Sequence, residues 1–332
     1  MPAALTPALF GKLPSTLDFV RVNHTSEVGV SYDQWTERCL QELARTGASW
    51  PNLPLRFVLP GSSGAQALVG VVLPSRDRAG RKFPVTLYAV VPSTSITPSL
   101  TSLPRGWSSF FEQAEQALAD SFTLRGEELL ARVASVAIPG RDQLEAAQRE
   151  ERAQRSPESS ADAPITPTLP NSIRTQLQSI LQKIRSGLEV GSAPRERAPV
   201  LDCPVAEASD VSTWFALAER HLAAARTLPW CFWSLPQAER EGRMLMGLGA
   251  PPPVVPVWFS STRTTSERLW TLKLAQELED HTAFESASES ALEQAGEPAG
   301  SELATPHEAT LAQRLWSAAT QHAQPATERH SG

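Results

Sequence analysis

Two nearly continuous apolar segments, residues 67–73 and 84–91, constrain the fold of this chain most strongly. Both are rich in Val and Leu, and polar residues do not alternate with apolar ones along them, so neither segment has a face suited to water. Strands of this kind lie at the centre of a sheet that is covered on both faces. A third candidate strand, residues 55–59, precedes them and is bounded by proline on both sides.

Helical patterns flank these candidate strands. The sequence from Ser31 to Gln34 has the S-x-x-Q form of a capping box, which predicts a helix that begins at Ser31. Apolar residues then recur at helical spacing, at Trp35, Cys39, Leu40 and Leu43. Two further helices are predicted at residues 107–119 and 127–136. Helices before and after a group of strands are typical of a layered α/β domain.

The composition divides the chain into four segments. Residues 8–137 hold the patterns above and predict an N-terminal α/β domain. From Arg141 the sequence becomes charged and then rich in Pro and Ser, so residues 138–200 are predicted to be a disordered or loosely held insert. One amphipathic helix is expected inside the insert, with its apolar face formed by Ile173, Leu177, Ile180, Ile184 and Leu188.

The last two segments are a second structured region and a tail. Residues 201–281 are expected to complete the fold, with a helix at 210–226, short apolar segments at 230–235, 244–248 and 254–259, and a helix marked by Leu269, Leu272, Leu274 and Leu278. Residues 282–332 hold seven Glu and two Arg, which accounts for most of the net charge of -6. We expect this acidic tail to be flexible.

The usual signatures of catalysis and cofactor binding do not occur in this sequence. Gly11-Lys12 lacks the Ser or Thr of a P-loop, because Leu13 follows it. The three cysteines form no CxxC pair and the six histidines no HxxxH pair, so no metal site is predicted. No segment is apolar enough to span a membrane and no basic face suits nucleic acid. We therefore expect a cytoplasmic protein that is not an enzyme and needs no cofactor.

One charged cluster lies between the two apolar segments. Residues 76–82 contain four cations and the single carboxylate of Asp77. A hairpin tip, with Gly80 in the turn and Asp77 hydrogen-bonded to it, explains this cluster structurally. The alternative is an exposed arginine-rich surface that binds an acidic or phosphorylated partner through bidentate contacts. The sequence leaves both interpretations open.

These segments together resemble the TagF/ImpM family, which is associated with bacterial type VI secretion. The resemblance rests on Phe10-Gly11-Lys12-Leu13-Pro14, Asp18-Phe19-Val20, Trp35, Trp50, Arg56-Phe57, the segment from Leu73 to Arg81, and Phe83-Pro84-Val85-Thr86-Leu87. It is strong over residues 8–125 and weaker over 228–259. The family usually has Gly before the Asp-Phe pair, whereas Leu17 stands here. Because a bulky residue tolerates positive φ poorly, the turn at residues 16–18 must differ or must not need glycine.

The resemblance implies a three-layer α/β/α sandwich around a mixed central sheet. It also implies a cytoplasmic accessory protein that represses the secretion apparatus after translation by binding an FHA-domain scaffold or another cytoplasmic component. The candidate binding or turn residues are Lys12, Asp18, Arg76, Asp77, Arg78 and Arg81. One alternative is an assembly adaptor that uses the helix at residues 173–188 and the acidic tail. An uncharacterised hydrolase is the third hypothesis and has the weakest support.

Overall fold

A computed structural model describes residues 5–61, 64–96, 99–154, 200–222, 228–237, 240–260 and 269–271. Within these residues, nine strands form one sheet in the order β2-β1-β5-β4-β3-β7-β8-β6-β9. The strands are β1 (Ala8–Lys12), β2 (Phe19–Val22), β3 (Leu55–Pro60), β4 (Gln66–Leu73), β5 (Val85–Pro92), β6 (Val200–Val205), β7 (Trp230–Ser234), β8 (Gly242–Gly247) and β9 (Leu269–Thr271).

Helices cover both faces of the sheet. They are α1 (Glu27–Thr46), α2 (Leu103–Gly106), α3 (Ser108–Ser121), α4 (Gly126–Ala134), α5 (Arg141–Gln154), α6 (Ala208–Leu222) and α7 (Val255–Ser260), with short 3₁₀ turns at Ser93–Ser95 and Leu100–Ser102. None of the helices in the described part of the chain is both long and apolar enough to cross a membrane.

The sheet is mixed, as predicted. Strands β6 and β9 are parallel, and the other described pairings are antiparallel. The pairing of β4 with β5 extends over eight positions, from Gln66↔Pro92 to Leu73↔Val85. The two most apolar segments are therefore neighbouring inner strands, which confirms the prediction that both of their faces are covered.

Two apolar cores lie on opposite faces of the sheet and make the fold a three-layer sandwich. Side chains of β4 alternate between them, since Leu68 belongs to one core and Val69 to the other. Helices α1 and α7 cover the first face, and helices α3 to α6 cover the second. The thiols of Cys39, Cys203 and Cys231 are all buried, and burial raises their pKa values.

The strands after residue 200 join the sheet through β3. Phe57 of β3 lies opposite Phe232 of β7, and the ring of Phe232 stacks on Trp35 of α1 at 5.2 Å. On the other face Phe111 of α3 meets Trp233 edge-on at 5.1 Å. Both cores are thus completed by side chains from far along the chain.

Two predicted element boundaries were wrong. Helix α1 begins at Glu27, and its N-cap is Ser26, whose Oγ accepts the N–H of Gly29. Ser31 therefore lies inside the helix. The prediction of a disordered insert was wrong for residues 141–154, because these residues form helix α5 and its Leu144 and Ala147 are buried. The many charged residues of α5 leave only a narrow apolar face, which was not recognised from the sequence.

The structure also defines three shorter segments. The segment from Phe10 to Val20 belongs to the β1–β2 hairpin, with the predicted turn at residues 16–18 just before β2. Residues 255–260 form the short helix α7, and Leu269 begins strand β9 rather than a helix. The predicted helix at residues 173–188 and the acidic tail at 282–332 lie outside the described residues.

Candidate protein-binding site

The basic tip, residues 76–82, is a tight loop between β4 and β5. Arg76 and Lys82 form an isolated antiparallel bridge, and the N–H of Asp77 donates to the carbonyl of Arg81 at 3.1 Å. Gly80 has φ +82° and donates its N–H to the carbonyl of Asp77 at 2.9 Å. Glycine adopts this left-handed conformation without steric cost, so Gly80 is the turn residue that the sequence predicted.

Asp77 organises the loop from its centre. Only 2% of the residue is exposed. Its Oδ1 accepts the backbone N–H groups of Ala79 and Arg81, both at 2.9 Å. Its Oδ2 accepts from Nζ of Lys12 at 3.0 Å and from Nε of Arg81 at 2.6 Å. Burial disfavours the charged form, but the hydrogen bonds from Lys12 and Arg81 outweigh it and hold the pKa of Asp77 well below its usual range.

The β1–β2 turn is fastened to the basic tip. The N–H of Arg78 donates to the carbonyl of Thr16 at 2.7 Å, the hydroxyl of Ser75 donates to the carbonyl of Lys12 at 2.6 Å, and the guanidinium of Arg81 donates to the carbonyl of Leu17. The β1–β2 turn and the basic tip, which both contribute to the family resemblance, therefore form one structural unit.

Leu17 fits this turn without a left-handed backbone. Among the described residues, Asn23 is the only one other than glycine with a positive φ, so the position of Leu17 does not require glycine. The leucine side chain is 53% exposed and lies beside the basic tip. The departure from the family pattern thus changes the surface rather than the backbone.

The six predicted site residues separate into structural and exposed groups. Lys12 and Asp77 are buried and hold the loop together. Asp18 is exposed, and its Oδ1 accepts the N–H of Phe19 at 2.7 Å. Arg81 does both, since its side chain is 61% exposed while it pairs with Asp77.

The remaining two, Arg76 and Arg78, are exposed and form no ion pair within the described part of the chain. Lys82 has the same character and was not singled out from the sequence. The basic tip therefore presents three cations whose charges are not neutralised by described neighbours. These cations suit carboxylate or phosphate groups on a partner.

An aromatic cluster with a further cation adjoins this loop. Phe19 stacks on Phe10 at 5.3 Å and meets Phe83 edge-on at 4.8 Å. Nζ of Lys12 lies 5.1 Å from the centre of the Phe19 ring. The exposed Arg21 lies 5.4 Å from the rings of both Phe10 and Phe19. Arg21 was missed because only the hairpin brings it beside Phe10, which precedes it by eleven positions.

A partly buried hydrogen-bonded cluster of His24, Asp33 and Tyr88 was also missed. Nδ1 of His24 lies 2.5 Å from the Tyr88 hydroxyl and Nε2 lies 2.7 Å from Oδ2 of Asp33. Burial raises the pKa of Asp33 and that of Tyr88. Because Tyr88 is 0% exposed, its hydroxyl offers no surface to a substrate. The hydrogen bonds of this cluster instead join α1 to the inner strand β5.

Two surface clefts contain polar side chains of other kinds. One, of about 460 Å³, lies between the end of α1 and α7, and its described lining includes Trp50 and Arg240 but no carboxylate or imidazole. The other, of about 270 Å³, contains Glu219. That carboxylate accepts from the hydroxyls of Ser99 and Thr101, both at 2.7 Å. It therefore caps the 3₁₀ turn at Leu100–Ser102.

Comparison with known proteins identifies the N-terminal domain of this chain. Residues 8–136 match the family model of the TagF N-terminal domain, described as type VI secretion system-associated. Residues 8–136 of this chain are therefore a TagF N-terminal domain, a domain associated with type VI secretion systems. The resemblance to the TagF/ImpM family is thereby confirmed.

The crystal structure of PA0076 from Pseudomonas aeruginosa PAO1 is similar to this chain. The two sequences are 21% identical, the match covers 80% of this chain and 98% of that one, and the TM-score is 0.48. No curated protein matches the chain.

Proposed function

We propose that this protein is a post-translational negative regulator of a type VI secretion system. It acts in the cytoplasm by binding an FHA-domain scaffold or another component of the apparatus, without a chemical step and without a cofactor. The TagF N-terminal domain supports the link to the secretion system. The observation that carries the binding mode is the basic tip, where Arg76, Arg78 and Lys82 are exposed without described ion pairs.

The basic tip suits recognition because its backbone is fixed before a partner arrives. Asp77 holds the loop through two backbone N–H groups and two cationic side chains. Ordering a flexible loop on binding costs free energy, and a preformed loop avoids that cost. Arginine side chains also bind carboxylate and phosphate groups in a bidentate geometry that lysine cannot match.

Export of secreted effectors in the native host tests the regulatory role. Deletion of the gene is expected to raise export, and overexpression is expected to lower it. Unchanged export in both strains would contradict the proposal.

Charge reversal tests the part played by the basic tip. The double variant Arg76→Glu, Arg78→Glu is expected to restore export in the overexpressing strain, because both side chains are exposed and neither forms a described ion pair. Arg38→Glu on the exposed side of α1 is the control, since it also replaces an exposed arginine by a carboxylate away from the tip. If the double variant represses export as strongly as Arg38→Glu does, the basic tip does not take part in binding the partner.

A further inference from the structure

We propose that the edge of β2 to which no other described strand is paired binds an extended acidic segment of the partner protein, which adds to the sheet as a further strand. This inference rests on the proposed function, because it specifies how the partner meets the surface beside the basic tip. In this proposal the backbone of residues 19–22 forms the hydrogen bonds to the partner. The charged side chains around these residues determine which partner binds.

Among the described strands, β2 is the outermost on its side of the sheet. Of the residues that the structure describes, only those of β1 pair with it, from Leu9↔Val22 to Lys12↔Phe19. The chain is described on both sides of β2, from Leu5 to Gly61. An edge strand presents backbone N–H and C=O groups that pair readily with another extended chain. The strand also offers half-buried side chains, Phe19 and Val20, for such a chain to cover.

Two sets of contacts hold strand β2 and the turn before it in place. The turn before it is hydrogen-bonded to the basic tip through the carbonyls of Thr16 and Leu17. Phe19 packs against both Phe10 and Phe83. A strand that is already extended and packed requires little ordering when a second strand pairs with it.

The charges around β2 favour an acidic occupant. Arg21 is exposed on the strand itself, and Arg78 and Arg81 adjoin the turn that precedes it. Asp18 is the exposed carboxylate in the same turn, so cations outnumber anions along this edge. Carboxylates on an incoming strand would lie close to these arginines, and opposite charges across a strand pair stabilise it.

The same charges disfavour a second copy of this chain as the occupant. If β2 pairs with β2 of another copy in the antiparallel sense, Arg21 can lie opposite Arg21 or opposite Phe19 of that copy. In both of these registers the two guanidinium groups lie on the same face of the sheet, directly opposite or two positions apart. Like charges this close across a strand pair are destabilising.

Binding of two synthetic peptides to the full chain tests the inference. The acidic probe is Glu-Val-Glu-Val-Glu-Val with an N-terminal fluorescein, and Lys replaces each Glu in the matched basic probe. Fluorescence anisotropy measures affinity, and hydrogen exchange measures protection of the amides at residues 19–22. The acidic probe is expected to bind and to slow exchange in β2, and the basic probe to do neither. Arg21→Glu is expected to weaken binding about tenfold, with Arg38→Glu unchanged.

Three outcomes would overturn the inference. Binding of the acidic probe without protection of residues 19–22 would show that the basic tip alone attracts it. Protection of β2 that rises with protein concentration, together with a dimer in sedimentation, would assign the edge to a second copy. No saturable binding up to about 1 mM probe would exclude strand addition at a useful affinity.

A second variant and the export assay distinguish a loss of folding, a loss of peptide binding and a loss of regulation. Arg21→Gln replaces Arg21→Glu if circular dichroism shows that the charge reversal prevents folding, and it is expected to weaken binding in the same direction. Export in the deletion strain does not depend on how the partner binds. A raised export with no peptide binding would therefore contradict strand addition while leaving the regulatory role intact.

Discussion

Asp77 shows how a residue in a functional motif can serve the fold rather than the partner. Its carboxylate accepts from two backbone N–H groups at Oδ1 and from Lys12 and Arg81 at Oδ2. Lys12 has only 10% of its side chain exposed, so its ammonium group depends on Asp77 for a counter-ion. The exposed cations Arg76 and Arg78 can therefore vary without loss of the loop, whereas Asp77 cannot.

Two substitutions of Asp77 are expected to distinguish the stabilisation that comes from its charge from the stabilisation that comes from its hydrogen bonds. Asp77→Asn keeps an acceptor for the N–H groups of Ala79 and Arg81 but leaves Lys12 without a counter-ion, which is costly for a buried cation. We expect the melting temperature to fall by about 5 °C, and further in Asp77→Ala, which also loses the acceptor. Asp18→Asn is the control, because Asp18 is exposed. Equal melting temperatures for Asp77→Asn and Asp18→Asn would contradict this role.

The stabilisation from Asp77 is expected to depend on pH in the acidic range. Because its pKa is lower in the folded protein than in the unfolded chain, the contribution is complete above the unfolded value of about 3.9 and is lost as pH falls below it. Asp33 acts in the opposite sense, since burial raises its pKa. The measurement is therefore the difference in free energy of unfolding between wild type and Asp77→Asn. That difference should shrink between about pH 5 and pH 2, and a constant difference would argue against the charge.

The residue scale also shows which parts of the site a sequence can predict. The turn at Gly80 and the hydrogen bonds of Asp77 within the tip are local, so short-range patterns predicted them. The pairing of Lys12 with Asp77 joins positions 65 apart, and no local pattern contains that information. Arg21 was missed for the same reason, because its importance comes from the surface that β1, β2 and the tip form together.

At the scale of the element, the start of helix α1 could be marked by either of two serines in the sequence. Ser26 and Ser31 both offer a hydroxyl near the start of an apolar helical pattern. In the structure Ser26 is extended, with φ −79° and ψ 146°, and caps the N–H of Gly29, while Ser31 is exposed within the helix. The hairpin fixes where the chain enters the helix, and the capping-box pattern does not include that constraint.

Alanine substitutions are expected to distinguish the two serines. Ser26→Ala removes the cap and should lower the free energy of unfolding by about 1 kcal/mol. Ser31→Ala places a better helix former at an exposed position and should leave it within about 0.5 kcal/mol of wild type. Urea unfolding of both variants measures the difference. A larger loss in Ser31→Ala than in Ser26→Ala would place the helix start where the sequence predicted it.

At the scale of the whole molecule, the sequence predicted the class of fold but not the number of strands in the sheet or their order. The apolar runs that become β4 and β5 required a sheet covered on both faces, and the structure has one. The sequence did not show that β7 would pair with β3, because the intervening residues number more than a hundred and pairing across such a distance leaves no local pattern. The order of strands in the sheet therefore came only from the structure.

This pairing predicts that the TagF N-terminal domain depends on the strands that follow it. A polypeptide of residues 5–154 contains the whole family match at residues 8–136 but lacks β7, so β3 becomes an open edge. Phe57 loses Phe232 on one face and Phe111 loses Trp233 on the other. An apolar edge of this kind promotes aggregation.

We therefore expect the shortened polypeptide to bind a hydrophobic dye and to elute as aggregates in size-exclusion chromatography, under conditions where the full chain does neither. Adding the segment 200–271 as a separate polypeptide should reduce both effects, because it restores β7 to the edge of β3. A monomeric, cooperatively unfolding polypeptide of residues 5–154 would show instead that residues 8–136 fold independently. In that case the later strands would be an addition to a finished sheet, and the surface beside β2 could be studied in the shorter chain.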